Sequence, residues 1–227
     1  MWVQTSVARA TQSTVGKSQT SETENTTDSA LTTFDTQHEN RALRQPSIAT
    51  DLAELQRLQI RYATVYADPP WEYNNTSSRG AAANHYPTMP LKRICEEPIA
   101  ALAADSAHLH LWTTNAFLRD AFDVMTAWGF TYKSCLIWVK PQMGMGNYWR
   151  VSHEFLLLGV RGSLPFRDNT CRSWLLHRRS VHSRKPYAIR QLIEQVSPGP
   201  YLELYGREEI PNSNWTVYGN QVERRLF

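Results

Sequence analysis

Asp68-Pro69-Pro70-Trp71 sets a carboxylate, two rigid prolines and an indole behind a strand-like run over 63–67. An aromatic amine is a poor nucleophile, because its lone pair is delocalised into the ring. A catalyst must localise that pair and hold it in line with an electrophile. Two acceptors aimed at the two amine hydrogens do this. Asp68 supplies a carboxylate, which only accepts when ionised, and the Pro69 carbonyl supplies the second. Pro70 removes a backbone donor and stiffens the turn. Trp71 offers a face for a base to stack on, worth about 1–3 kcal/mol per base. The chemistry suggested is methyl transfer to the amino nitrogen of adenine, driven by positioning and by hydrogen bonds that strengthen in the transition state. The target base must be unpaired or taken out of the stack. The same four residues also fit an ordinary turn with a partly buried indole. The tetrapeptide alone leaves both readings open.

The elements that must position these residues alternate. Asp51 is placed to cap a short helix with Leu52, Leu55 and Leu58 on one face. A long polar loop, 72–87, separates the strand at 63–67 from a helical stretch within 90–103 that Pro98 interrupts. Alternation predicts a strand over 107–112. Asn115 is predicted to cap a helix over 116–128, which Gly129 ends. Strands are predicted over 132–139 and 154–160, with a flexible loop at 142–147. Pro186 suits the first turn of a helix running to Val196. A strand at 201–205 and a short segment at 215–219 follow. Strands alternating with helices predict an α/β fold with an open sheet. Ligands sit at the carboxyl ends of strands in such sheets. Asp68 and Gly206-Arg207 both fall there.

The 227 residues are 41% hydrophobic with a formal charge of +3. That is enough for one domain with a substantial core, and compatible with a nucleic-acid partner without requiring one. Half of the positions over 11–36 are Ser or Thr, so residues 1–50 are predicted to be a disordered tail and 51–227 the folded domain. Cys95, Cys135 and Cys171 are scattered, and no pair has metal-ligand spacing. His108 and His110 read as residues of one strand face. No metal is expected. With no membrane-length apolar run and no signal-like start, an intracellular soluble protein with no membrane partner is expected.

Over 62–221 the chain resembles the MT-A70 family of adenine-N6 methyltransferases. Asp68-Pro69-Pro70-Trp71 matches the family's catalytic tetrapeptide, and Tyr86-Pro87-Thr88-Met89 its Tyr-x-Thr-Met segment. Leu111-Trp112, Trp138-Val139-Lys140 and Glu154 through Arg161-Gly162 match three strands. Ser183-Arg184-Lys185-Pro186 resembles the family's Ser-x-Lys-Pro. Leu202 through Arg207 and Asn214 through Gln221 match the carboxyl-terminal signature. The resemblance implies a Rossmann-like methyltransferase fold dependent on S-adenosylmethionine, with a mostly parallel sheet flanked by helices. The tetrapeptide precedes the cofactor strand, which implies the circularly permuted, β-class motif order.

By this resemblance Asp68, Pro69, Pro70 and Trp71 are catalytic. Asp68, Lys185, Tyr205, Arg207, Asn220 and Gln221 would bind S-adenosylmethionine. Tyr86, Lys140 and Glu154 match positions near the active face. Lys140 and Glu154 also read as an ion pair. Trp149, Arg150, Arg178 and Arg179 lie in basic, aromatic stretches suited to nucleic acid, or to a solvated basic face. The short form is similar to the bacterial and phage branch, which favours DNA over RNA. A non-catalytic partner subunit is the alternative of another class, and retention of both Asp68 and Trp71 speaks against it. No target-recognition domain is evident, so a short or degenerate site, a homodimer or a partner subunit is expected.

Overall fold

Alternating apolar residues build the sheet, because successive side chains of a strand point to opposite faces. The computed structural model describes residues 46–72, 88–144, 148–179, 184–210 and 213–219. Among them, β1 (Ile48–Ala49), β2 (Tyr62–Ala67), β3 (Ala103–Thr113), β4 (Thr131–Val139), β5 (His153–Arg161), β6 (Trp174–Leu176), β7 (Tyr201–Leu204) and β8 (Trp215–Tyr218) form one eight-stranded sheet. Its order is β1-β8-β7-β2-β3-β5-β4-β6. β5 pairs antiparallel with both β3 and β4, and every other pair is parallel.

Helices α1 (Leu52–Arg57), α2 (Leu91–Cys95), α3 (Ile99–Leu102) and α4 (Leu118–Ala127) pack on one face, against Val65, Leu109, Leu111, Leu157, Leu202 and Leu204. Helix α5 (Tyr187–Val196) packs on the other, where Ile189 and Ile193 meet Tyr66, Trp112, Leu156 and Trp215. Consecutive residues such as Val65 and Tyr66, or Leu111 and Trp112, thus serve opposite layers. This is the expected mostly parallel sheet flanked by helices.

Local chemistry explains the element ends. The Asp51 carboxylate accepts from the Ala53 N–H at 2.9 Å, as an N-cap should. Pro98 separates α2 from α3. Gly129 takes φ +80° just past α4. Asn115 does not cap that helix. It opens a 3₁₀ turn, Asn115–Phe117, and α4 begins at Leu118 with no side-chain cap. The tighter turn delivers Phe117 onto the ring of Trp71, 5.5 Å between centroids. Pro186 precedes α5 rather than lying in its first turn.

The fold begins before the expected boundary at residue 50. The Val217 N–H donates to the Ser47 carbonyl at 2.9 Å, and Ile48–Ala49 joins the sheet. A two-residue edge strand carries no periodicity, so nothing in the pattern announced it. β6, with three residues, escaped for the same reason. The rest of the expected tail lies outside the described residues. No described helix is long and apolar enough to cross a membrane. His108 and His110 do share a face, where both rings meet the Ser197 hydroxyl, at 2.8 and 2.9 Å. Burial pushes His110 down to about 3, so it stays neutral.

Candidate active site

Two adjacent parallel strands end side by side. Ala67 at the end of β2 is in register with Leu204 at the end of β7. Asp68 and Tyr205 therefore leave the sheet together. Because β5 runs the other way, it starts at the edge where β4 ends. Glu154 is thereby carried to the same end as Lys140. Lys185, just ahead of α5, reaches in from above.

The result is an alternating chain of charges. Lys185 Nζ donates to Asp68 Oδ2 at 2.6 Å and lies 3.4 Å from Glu154 Oε2. Lys140 pairs with Glu154 Oε1. Both ammonium groups rest on indoles. Lys140 Nζ is 4.3 Å from the Trp138 ring centre, and Lys185 Nζ is 5.3 Å from that of Trp112. Trp112 is held by its N–H donating to the Tyr66 hydroxyl at 2.8 Å. Trp138 is held by its N–H donating to the His177 carbonyl at 2.8 Å. These two supporting indoles stood in the motifs, but no sequence signal marked them as floors for the lysines.

Burial raises the Asp68 carboxyl above its ordinary 3.8, and the Lys185 ammonium partly offsets this. The charge of Arg207, exposed just past β7, also acts on Asp68 in the lowering direction. For Glu154, burial acts upward, but Lys185 and Lys140 outweigh it and its pKa falls below the ordinary value. For Lys185, burial acts downward, but Asp68 and Glu154 outweigh it and its pKa rises. Lys185 thus stays protonated between two carboxylates.

The tetrapeptide is a braced turn. The Trp71 N–H donates to the Pro69 carbonyl at 2.9 Å, and the Met89 N–H to the Pro70 carbonyl at 2.7 Å. A carbonyl has two lone pairs, so Pro69 can accept a second hydrogen bond. Trp71 differs from expectation. It is 8% exposed, stacked on Phe117, and its N–H donates to the Trp112 carbonyl at 3.2 Å. This indole is not an open platform for a base. It fastens the turn to β3 and fixes where Asp68 and Pro69 point.

On the β7 side, Tyr205 adopts φ +62°, and its hydroxyl is buried with no hydrogen-bond partner among the described residues. The Thr114 hydroxyl, just past the end of β3, is in the same condition. Buried unpaired polar atoms are uncommon, and here two occur at the carboxyl end of one sheet. A Cβ on Gly219 would stand 2.0 Å from the Gly206 carbonyl oxygen, so only glycine allows this approach of the segments leaving β7 and β8. A carboxylate, an ammonium, a guanidinium and an orphaned phenol beside this tight backbone fit a zwitterionic amino-acid ligand carrying a polar appendage. S-adenosylmethionine has that chemistry.

Of the expected site residues, Asp68, Pro69, Lys185, Tyr205, Arg207, Lys140 and Glu154 converge at this end. Tyr86, Asn220 and Gln221 lie outside the described residues. Trp149, Arg150, Arg178 and Arg179 are exposed, and Arg179, beside the loop after β4, is near enough to Lys140 for its charge to act on that ammonium in the lowering direction. There the Arg179 guanidinium donates to the Met143 carbonyl at 3.1 Å.

Comparison with known proteins agrees with this geometry. The MT-A70 family matches residues 62–221. The type II methyltransferase M.MunI of Mycoplasma sp is 29% identical over 188 residues, covering 72% of this chain and 81% of that protein. The human N(6)-adenosine-methyltransferase catalytic subunit METTL3 is 30% identical over 176 residues, covering 72% of this chain but only 28% of that protein. The Drosophila melanogaster MT-A70-like protein is 28% identical over 180 residues, with 27% of its length covered. The match spans the tetrapeptide, the three strands that bring Glu154, Lys140 and Trp112 together, and Tyr205. The chain belongs to the MT-A70 family.

Proposed function

We propose that this chain transfers a methyl group from S-adenosylmethionine to N6 of adenine in DNA. The observation that carries the proposal is the Asp68–Lys185 pair at 2.6 Å, set beside the braced Pro69 carbonyl and the orphaned Tyr205 hydroxyl. S-adenosylmethionine supplies an electrophilic methyl group on a sulfonium. Lys185 and Arg207 suit its carboxylate, and Asp68 its ammonium group. Asn220 and Gln221 carry amides suited to its ribose.

Ionised Asp68 and the Pro69 carbonyl accept the two hydrogens of the target amine. This pyramidalises the nitrogen, so that its lone pair leaves the ring π system and points toward the methyl carbon. As the N–C bond forms and the C–S bond breaks, the nitrogen becomes positive and gives up a proton to the Asp68 carboxylate, which passes it to water. The same acceptors hold that growing charge. Glu154 and Lys140 fix Lys185 so that Asp68 is not drawn away from the amine. Tyr86 is assigned to the cover over the base.

DNA is favoured because the chain spans most of M.MunI and only a small part of METTL3. A short or degenerate site, a second copy or a partner subunit goes with this reading. The test is transfer of labelled methyl to DNA and RNA oligonucleotides. Asp68→Ala is expected to lower the rate by at least about 100-fold, the cost of removing one transition-state acceptor, with the melting temperature within a few degrees of wild type. Label on neither polymer, or an unchanged rate in the variant, defeats the assignment. Label on RNA alone moves the substrate to RNA.

A further inference from the structure

β6 is the last strand of the sheet, and two of its three residues present apolar side chains to solvent. Trp174 is 49% and Leu176 57% exposed. An outer strand with an open apolar face is a liability that proteins normally suppress. Here it is kept and surrounded by positive charge. Over 167–179 there are four arginines against Asp168 alone. Arg172 lies over the Trp174 ring, 5.6 Å from its centre. The segment after β6 is tied to the loop after β4, since the Arg179 N–H donates to the Gln142 side chain at 3.1 Å. The exposed Tyr148 and Trp149 belong to that same loop.

Position makes this surface specific. Trp174 is in register with Ile137 on β4, and Lys140 stands three residues further along. At about 3.3 Å per residue Lys140 lies roughly 10 Å along β4 from the level of the indole, and at about 4.8 Å per strand Asp68, just past β2, lies four strands or roughly 19 Å across the sheet. A few nucleotides of an extended strand span that distance from a base held at the tetrapeptide. A face that is aromatic and cationic together matches a base bearing a phosphate. It does not match an apolar protein surface, which would leave the arginines desolvated.

We propose that Trp174, with Arg172 over its ring, is a stacking platform for an unpaired nucleotide a few positions from the target adenine, so that the polymer crosses the β6 edge as a locally single strand. This inference rests on the methyltransferase reading for its target base, but its binding test does not.

The test uses full-length protein and 12-nucleotide probes of DNA and RNA, single-stranded and duplex, with 2-aminopurine at successive positions around one adenine. Stacking quenches 2-aminopurine, so quenching is expected at one or two positions a few nucleotides to one side of the adenine and not at the others. Trp174→Ala is expected to weaken single-strand binding about 5- to 150-fold and to abolish that local quenching. Trp174→Phe is expected to restore most of both. The unfolding midpoint of Trp174→Ala serves as the folding control, and a variant that unfolds leaves Trp174→Phe against Arg172→Ala as the comparison. Unchanged affinity in Trp174→Ala, equal losses on duplex and single strand, or a change only in oligomeric state overturns the platform. If wild type methylates a probe and Trp174→Ala does so with unchanged KM, the platform falls while the methyltransferase reading stands. If no probe is methylated yet binding depends on Trp174, the reverse holds. The DNA and RNA arms separate the two sources of the nucleotide.

Discussion

In the proposed reaction Asp68 works only as an anion, and its surroundings push it the other way. Burial raises its carboxyl, Glu154 adds to the rise, and Lys185 opposes it. Its folded-state pKa is therefore above 3.8, and the acceptor form is lost as pH falls through that raised value. The acid limb of kcat/KM should lie above the 3.8 of an ordinary aspartate. Glu154→Gln removes a like charge and leaves Lys185 to Asp68 alone. The limb should then move to lower pH, read from a pH–rate profile with saturating S-adenosylmethionine. A limb that stays put means another group controls it. For stability the sign at Glu154 is opposite to that at Asp68. Its pKa is depressed, so its contribution is present above 4.5 and lost as pH falls through the folded value. Glu154→Gln should flatten that part of the acid unfolding curve.

Between elements, the pair that joins α5 to β7 has the clearest energetic consequence. Arg190 donates twice to the Glu203 carboxylate, at 2.8 and 2.7 Å, and Glu203 is buried. Breaking a buried pair by deleting one partner leaves an uncompensated charge, at a cost of about 3–5 kcal/mol. Arg190→Met should lose about that much stability in urea unfolding. Arg190→Met with Glu203→Met should recover most of it. If the double variant is no better than the single one, packing rather than charge is responsible. Neither residue stood out in the sequence. Pairing between a helix and the strand that follows it leaves no local pattern. Long elements were legible for the converse reason. β3, β4, β5 and α5 each repeat a period over many residues, and the motifs at their ends located Asp68, Lys140, Glu154 and Lys185. What the motifs did not carry was orientation. Trp71 looked like a platform because indoles stack on bases, and only the place of Phe117 shows that its face is taken.

At the scale of the molecule, charge is unevenly spread. The net surplus of the arginine-rich segment before and after β6 equals the formal +3 of the whole chain. A polymer of phosphates should therefore bind along that edge, with an affinity that falls as salt rises. Arg178→Ala and Arg179→Ala should each reduce the slope of log K against log salt by about one and weaken all sequences alike. Titrations between 50 and 200 mM salt would show this. A slope unchanged by both substitutions would place the phosphates elsewhere on the surface.

The connection between β4 and β5 is pinned at its root. The Lys140 N–H donates to the Ser152 carbonyl at 2.7 Å, and the Lys140 side chain grips Glu154. Whatever chain is threaded between these two posts, the posts themselves stay in the catalytic array. Lengthening a closed loop twofold costs only about 0.6 kcal/mol in closure entropy. A longer chain between these posts is therefore expected to cost little stability. Under the proposed function, the surface offered to the polymer can change there while Lys140 and Glu154 stay paired.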